Sequence, residues 1–75
     1  MNTSAQIQNI VSDTGTLVKD KIDALLALDS ANYTNLGIDS TKKERKEVKS
    51  ASRAIYKAIK GLDKTEGELL LSAFD

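Results

Sequence analysis

Between residues 42 and 60 the chain carries eight lysines and arginines against two glutamates, Glu44 and Glu47. Six of the eight, Lys42, Lys46, Lys49, Arg53, Lys57 and Lys60, recur at steps of four, three, four, four and three. Ammonium and guanidinium groups only donate hydrogen bonds, so the chemistry open to this series is the holding of anionic oxygens. At about 100° per residue the six fall within roughly 40° of one direction, a basic ridge about 27 Å long. Tyr56 stands beside it, and Val48, Ala51, Ile55, Ile59 and Leu62 fall on the opposite side. A solvated helix face accounts for such a ridge in part, since lysine is a good helix former. The helix macrodipole accounts for Lys57 and Lys60 near the end of the segment. It does not account for Lys42, Lys43, Arg45 and Lys46, which stand at the start, where positive charge is unfavourable. Those cations raise the prospect of an anionic partner, either nucleic-acid phosphates spaced about 1.7 Å along a duplex or an acidic protein surface. The apolar side is built of Ala, Val and Ile without tryptophan, which argues against a membrane surface.

Other chemistry has little to work with. The 75 residues include no cysteine and no histidine, so nucleophile systems that need either are excluded. There is no phosphate-cradling glycine loop. Asn32, Thr34, Leu36, Gly37 and Asp39 faintly follow a calcium loop, but Leu36 falls on a ligand position and Lys43 where the bidentate glutamate belongs. Ser52, Tyr56 and Lys60 stand four apart, and the Tyr-x-x-x-Lys pair is similar to the catalytic pair of short-chain dehydrogenases. The chain is too short for a dinucleotide fold and lacks its glycine fingerprint. Carboxylate pairs such as Asp20 with Asp23, or Glu66 with Glu68, read as helix-surface charge. The expectation is a protein that is not an enzyme, with no catalytic residue, no cofactor site and no metal site.

The ridge needs a helix to carry it, and the whole chain has helical spacing. It has no proline, and no stretch alternates with period two. Thr3 and Gln6 form a capping box for a first helix. Its apolar stripe runs Ile7, Val11, Thr14, Val18, Ile22 and Leu25 with an average step of 3.6, widened by Ile10, Leu17, Leu26 and Leu28. Gly15, with Asp13 and Thr16 beside it, offers a breaking point, but the unbroken stripe predicts one helix over about residues 4–28. Residues 29–40, rich in Asp, Ser, Asn and Gly, read as a loop. Tyr33, Leu36 and Ile38 are expected to turn inward there. A second helix over about 41–60 is capped by Thr41 with Glu44 and closed by Gly61 in the C′ position. Asp63 and Glu66 then cap a short helix over about 64–73 that carries Leu69, Leu70, Leu71 and Phe74.

The expected fold is all-α, a single domain over 1–75 in a small three-helix arrangement: a long helix, a loop, a long basic amphipathic helix and a short C-terminal helix. Net charge is zero but segregated, −3 over residues 1–41, +6 over 42–60 and −3 over 61–75. A chain this short buries only about 60% of its unfolded surface, and no disulfide can supplement the core. Apolar residues beyond one seam per helix (Ile10, Leu17, Leu26, Leu70 and Phe74) therefore suggest a protein interface, with Leu69, Leu70 and Phe74 as its candidates. The function expected is a non-enzymatic helical interaction or assembly module, an accessory subunit of a larger and possibly viral assembly. Its partner would be another protein or copies of itself. The alternative is a small nucleic-acid-binding protein using Lys42, Lys46, Lys49, Arg53, Tyr56, Lys57 and Lys60. No apolar run approaches the roughly 20 residues of a membrane span, and the first residues lack a signal-peptide pattern. The expected location is cytoplasmic or within a virion.

Overall fold

In a computed structural model that describes residues 3–37 and 39–74, the chain is all-α: α1 (Thr3–Val11), α2 (Val18–Thr34), α3 (Lys42–Leu62) and α4 (Lys64–Phe74). The helix α3 is the hub, in contact with each of the other three, and α4 packs on α3 alone among the described elements. Lys21 at the start of α2 reaches the end of α1, where its Nζ donates to the Val11 carbonyl at 2.9 Å. Asn32 and Asn35, at the far end, share a groove with Thr3 and Ser4. The two helices are therefore antiparallel. Asp29 meets Ser52 and Tyr56 on α3, and Phe74 meets Tyr56. Gly67 lies against the backbone of Lys60. The pairs α2/α3 and α3/α4 thus also run antiparallel.

The expected first helix is present in two pieces. Its stripe is apolar at both ends, but the middle members, Thr14 and Val18, are exposed. Asp13 stops α1: its Oδ1 accepts from the Gly15 N–H at 2.9 Å and its Oδ2 from the Thr16 hydroxyl at 2.6 Å. Such an Asx turn competes with the helical ladder. Hydrogen bonds from Thr16 and then Gly15 hold the Asp13 carboxyl below its usual range. Because the chain folds back here, Ile7 and Leu25 from the two halves of the stripe enter one core with Ile55 and Ile59.

The expected loop at 29–40 is shorter than predicted, because α2 runs on through Thr34. The residues that argued for a turn are pulled inward instead. Asp29 is 8% exposed and Asn32 3% exposed, each facing the other helices. Tyr33, expected inward, is 43% exposed, while Leu36 is half-buried. Ile38 lies outside the described residues.

Thr41 caps α3 as expected, its hydroxyl oxygen accepting from the Glu44 N–H at 3.1 Å. Gly61 does not end α3, which continues to Leu62. No described glycine has a positive φ. The corner to α4 is made by Asp63 alone, in extended conformation at φ −144° and ψ 102°. Its N–H donates to the Ile59 carbonyl at 2.7 Å and its carboxylate accepts from the Glu66 N–H at 3.3 Å. A one-residue corner needs no left-handed glycine, and it folds α4 straight back along α3. There Gly67 is buried, with no room for a Cβ beside the Lys60 main chain.

Candidate interaction site

The face of α3 is settled by what packs around it. Val48, Ser52, Ile55 and Ile59 are buried. Lys42, Lys43, Arg45, Lys46, Lys49, Arg53, Lys57 and Lys60 keep exposed side chains, so the segregation of charge from apolar surface is real. The ridge is not continuous, however. Docking of α4 puts Gly67 on the backbone of Lys60 and places the Arg53 guanidinium over the Phe74 ring, 5.5 Å from its centroid. Guanidinium over an aromatic face is favourable by about 0.5–1 kcal/mol where exposed. Ahead of this junction, Lys46, Lys49, Ser50, Arg53 and Phe74 line a recess of about 440 Å³. The clear stretch of the ridge is its N-terminal part, Lys42, Lys46 and Lys49.

Tyr56 is half-buried and engaged within the chain. Its hydroxyl donates to Asp29 Oδ2 at 2.6 Å, and its ring meets Phe74 edge-on at 5.6 Å between centroids. The position lies one step from Ser52 on the helix wheel, close enough to the seam for α2 and α4 to draw it in. Ser52 is fully buried and also donates to Asp29, through Oδ1. Burial first, then the hydrogen bond to Asp29 and the charge of that carboxylate, push the Tyr56 phenol up to about 12 from 10.0. A raised folded-state value means that the native protein holds this proton more tightly than the unfolded chain does. The resulting stability is complete below pH 10 and is lost as pH rises toward 12. We expect urea midpoints of the parent chain to fall across that window by more than those of Tyr56→Phe. Parallel curves would contradict the placement.

The three candidate interface residues separate in the same way. Leu70 packs against the core and Phe74 against Tyr56 and Arg53, so both are used within the chain. Leu69 is 63% exposed and faces away from α3. Of the other spare apolar residues, Ile10 and Leu26 join the core margin while Leu17 is 73% exposed. Sequence reasoning missed Asp29 and Asn32, whose buried positions three apart on α2 were hidden by reading them as turn formers. It also missed Gly67, although a glycine inside an otherwise leucine-rich helix is a recognisable mark of close helix approach.

Among the described residues no helix is long and apolar enough to cross a membrane. No protein-family model, no curated protein and no solved structure matches this chain.

Proposed function

We propose that this chain is a non-enzymatic helical assembly module that works by associating with copies of itself. The observation that carries the reading is surplus surface. The chain exposes 5284 Å², whereas a compact monomer of its mass exposes about 4,500 Å². The chain is therefore less compact than a typical monomer of its mass, which leaves more surface to bury in an interface. Shape agrees with this. The extents are 39 × 24 × 15 Å, so the molecule is elongated rather than spherical. The radius of gyration is 12.5 Å against about 11 Å for a compact fold of this length. The fully buried large apolar side chains are only Leu25, Ile55 and Ile59 among the described residues. A fold with so small a core gains stability by burying apolar surface against a neighbour. The polar groups that could have suggested catalysis, Ser52 and Tyr56, are engaged with Asp29 in holding α2 to α3.

Binding of nucleic acid along the ridge has less support. Tyr56 is hydrogen-bonded to Asp29, and the Arg53 guanidinium lies over the Phe74 ring. The test of both readings is the solution mass of the chain, alone and with duplex DNA. Leu69→Asp is the informative variant, because Leu69 makes no core contact and its loss leaves the fold intact. A mass above that of the 8.1 kDa monomer, lowered by Leu69→Asp and unaffected by DNA, is the expected result.

A further inference from the structure

Where the end of α4 meets the face of α3, Lys46, Lys49, Ser50, Arg53 and Phe74 line a recess of about 440 Å³. That volume suits a small molecule, since ligand sites span roughly 300–1,000 Å³. Among the described lining residues three are cations and none is a carboxylate. The carboxylates of α3, Glu44 and Glu47, line instead the groove that Asn32 shares with Thr3 and Ser4. Lys46, Lys49, Ser50 and Arg53 are all exposed, so their polar heads can be reached from solvent. Asp75 follows Phe74 in the sequence, and one carboxylate still leaves the three cations in excess.

The spacing of these cations makes them a unit. Lys46 and Lys49 stand three apart, and Lys49 and Arg53 four apart. Such pairs are neighbours on a helix surface, where like charges repel. A bound anion removes that repulsion. Ammonium and guanidinium groups donate hydrogen bonds and accept none, and the Ser50 hydroxyl can donate as well. The fitting ligand is therefore rich in acceptor oxygens and carries more than one negative charge. A concave site lined by one sign of charge also concentrates such a ligand from solution. Phosphate groups suit donors that come from two turns of a helix, because each offers three acceptor oxygens around a tetrahedron, whereas a carboxylate offers two in one plane. Phe74 keeps the far wall in place, with its ring centroid 5.5 Å from the Arg53 guanidinium carbon. Arg53 has a further interaction within the chain, so the binding falls chiefly to the two lysines. We propose that this recess binds a small molecule bearing two or more phosphate groups. The inference goes beyond association of the chain and does not depend on it.

The test is a titration of the ¹⁵N-labelled full chain with tripolyphosphate at physiological salt, followed by NMR, with citrate as the carboxylate counterpart. Tripolyphosphate is expected to move the backbone amides of Lys46, Lys49 and Ser50 in a saturable way, and citrate to bind more weakly. The double variant Lys46→Ala/Lys49→Ala is expected to bind at least about tenfold more weakly, since two charge-assisted bonds are lost. Lys57→Ala/Lys60→Ala removes the same charge from the same ridge but outside the recess, and is expected to change affinity by less than about threefold. All four lysines are exposed, and matching melting temperatures confirm that both variants fold. Equal losses in the two variants would overturn the proposal, because binding would then be spread along the ridge. Citrate binding as tightly as tripolyphosphate, or amides unmoved at millimolar tripolyphosphate, would overturn it as well.

Discussion

Gly67→Ala lowers the melting temperature by roughly 10–20 °C, the effect of about 2–3 kcal/mol of overpacking in a domain this small. The direction is the diagnostic part. Alanine in a helix interior is normally better than glycine by about 1 kcal/mol. Here the new Cβ would fall on the Cα, Cβ and N of Lys60, which are the start of a side chain and main chain and cannot swing away. So α4 must lift off α3, and Leu70 and Phe74 lift with it. The same substitution a few residues earlier has the opposite sign. A Cβ on Gly61 meets nothing within 4 Å, and its backbone is helical. Gly61→Ala therefore gains about 0.5–1 kcal/mol through the unfolded state, a rise of roughly 4 °C. Thermal denaturation of the two variants beside the parent checks both. Equal shifts in one direction would mean that α4 does not sit on Lys60.

The second large effect concerns the carboxylate between α2 and α3. Asp29 accepts from Ser52 and Tyr56 and is 8% exposed. Ser52→Ala with Tyr56→Phe removes both donors and leaves the carboxylate without partners, a change expected to cost about 3–5 kcal/mol. That approaches the whole stability of a chain this size, about 4–11 kcal/mol. Adding Asp29→Leu to the double variant is expected to restore at least half of the loss, because replacing a whole polar network by apolar groups is close to neutral. Urea unfolding of parent, double and triple variants measures this. A triple variant less stable than the double would show that the carboxylate has other partners, and the account of the α2/α3 seam would fail.

These two sites also mark where the sequence was readable. The segregation of α3 could be predicted because six of its eight cations and both isoleucines obeyed one 3.6-residue period, and Thr41 with Glu44 announced its start. The Asp63 corner was equally plain, since Asp63 and Glu66 form a capping pair and α4 follows at once. The periodicity of the first thirty residues misled for a physical reason. A 3.6 period survives a fold-back when the break lies between two segments that each use the same stripe, and Ile7 and Leu25 do so in one core. The breaker was Asp13, acting through its side-chain bonds to Gly15 and Thr16. The turn-forming residues at 29–34 misled in the opposite direction. Local preference favours turns for Asp and Asn, but two donors on α3 made a helical Asp29 better. The seating of α4 on the ridge could not be read at all, because it depends on contacts of Gly67 with Lys60 and of Phe74 with Arg53 that lie outside the period of α3. The first of these contacts depends on Gly67 having no side chain.

The claim at the centre of this account is that this elongated four-helix chain, with its small core, associates with copies of itself. Sedimentation equilibrium over a wide concentration range tests it most directly. The account predicts a mass of at least two 8.1 kDa chains, reduced toward one chain by Leu69→Asp and unchanged by duplex DNA. A single-chain mass at every concentration, or a rise in mass only when DNA is added, would contradict it.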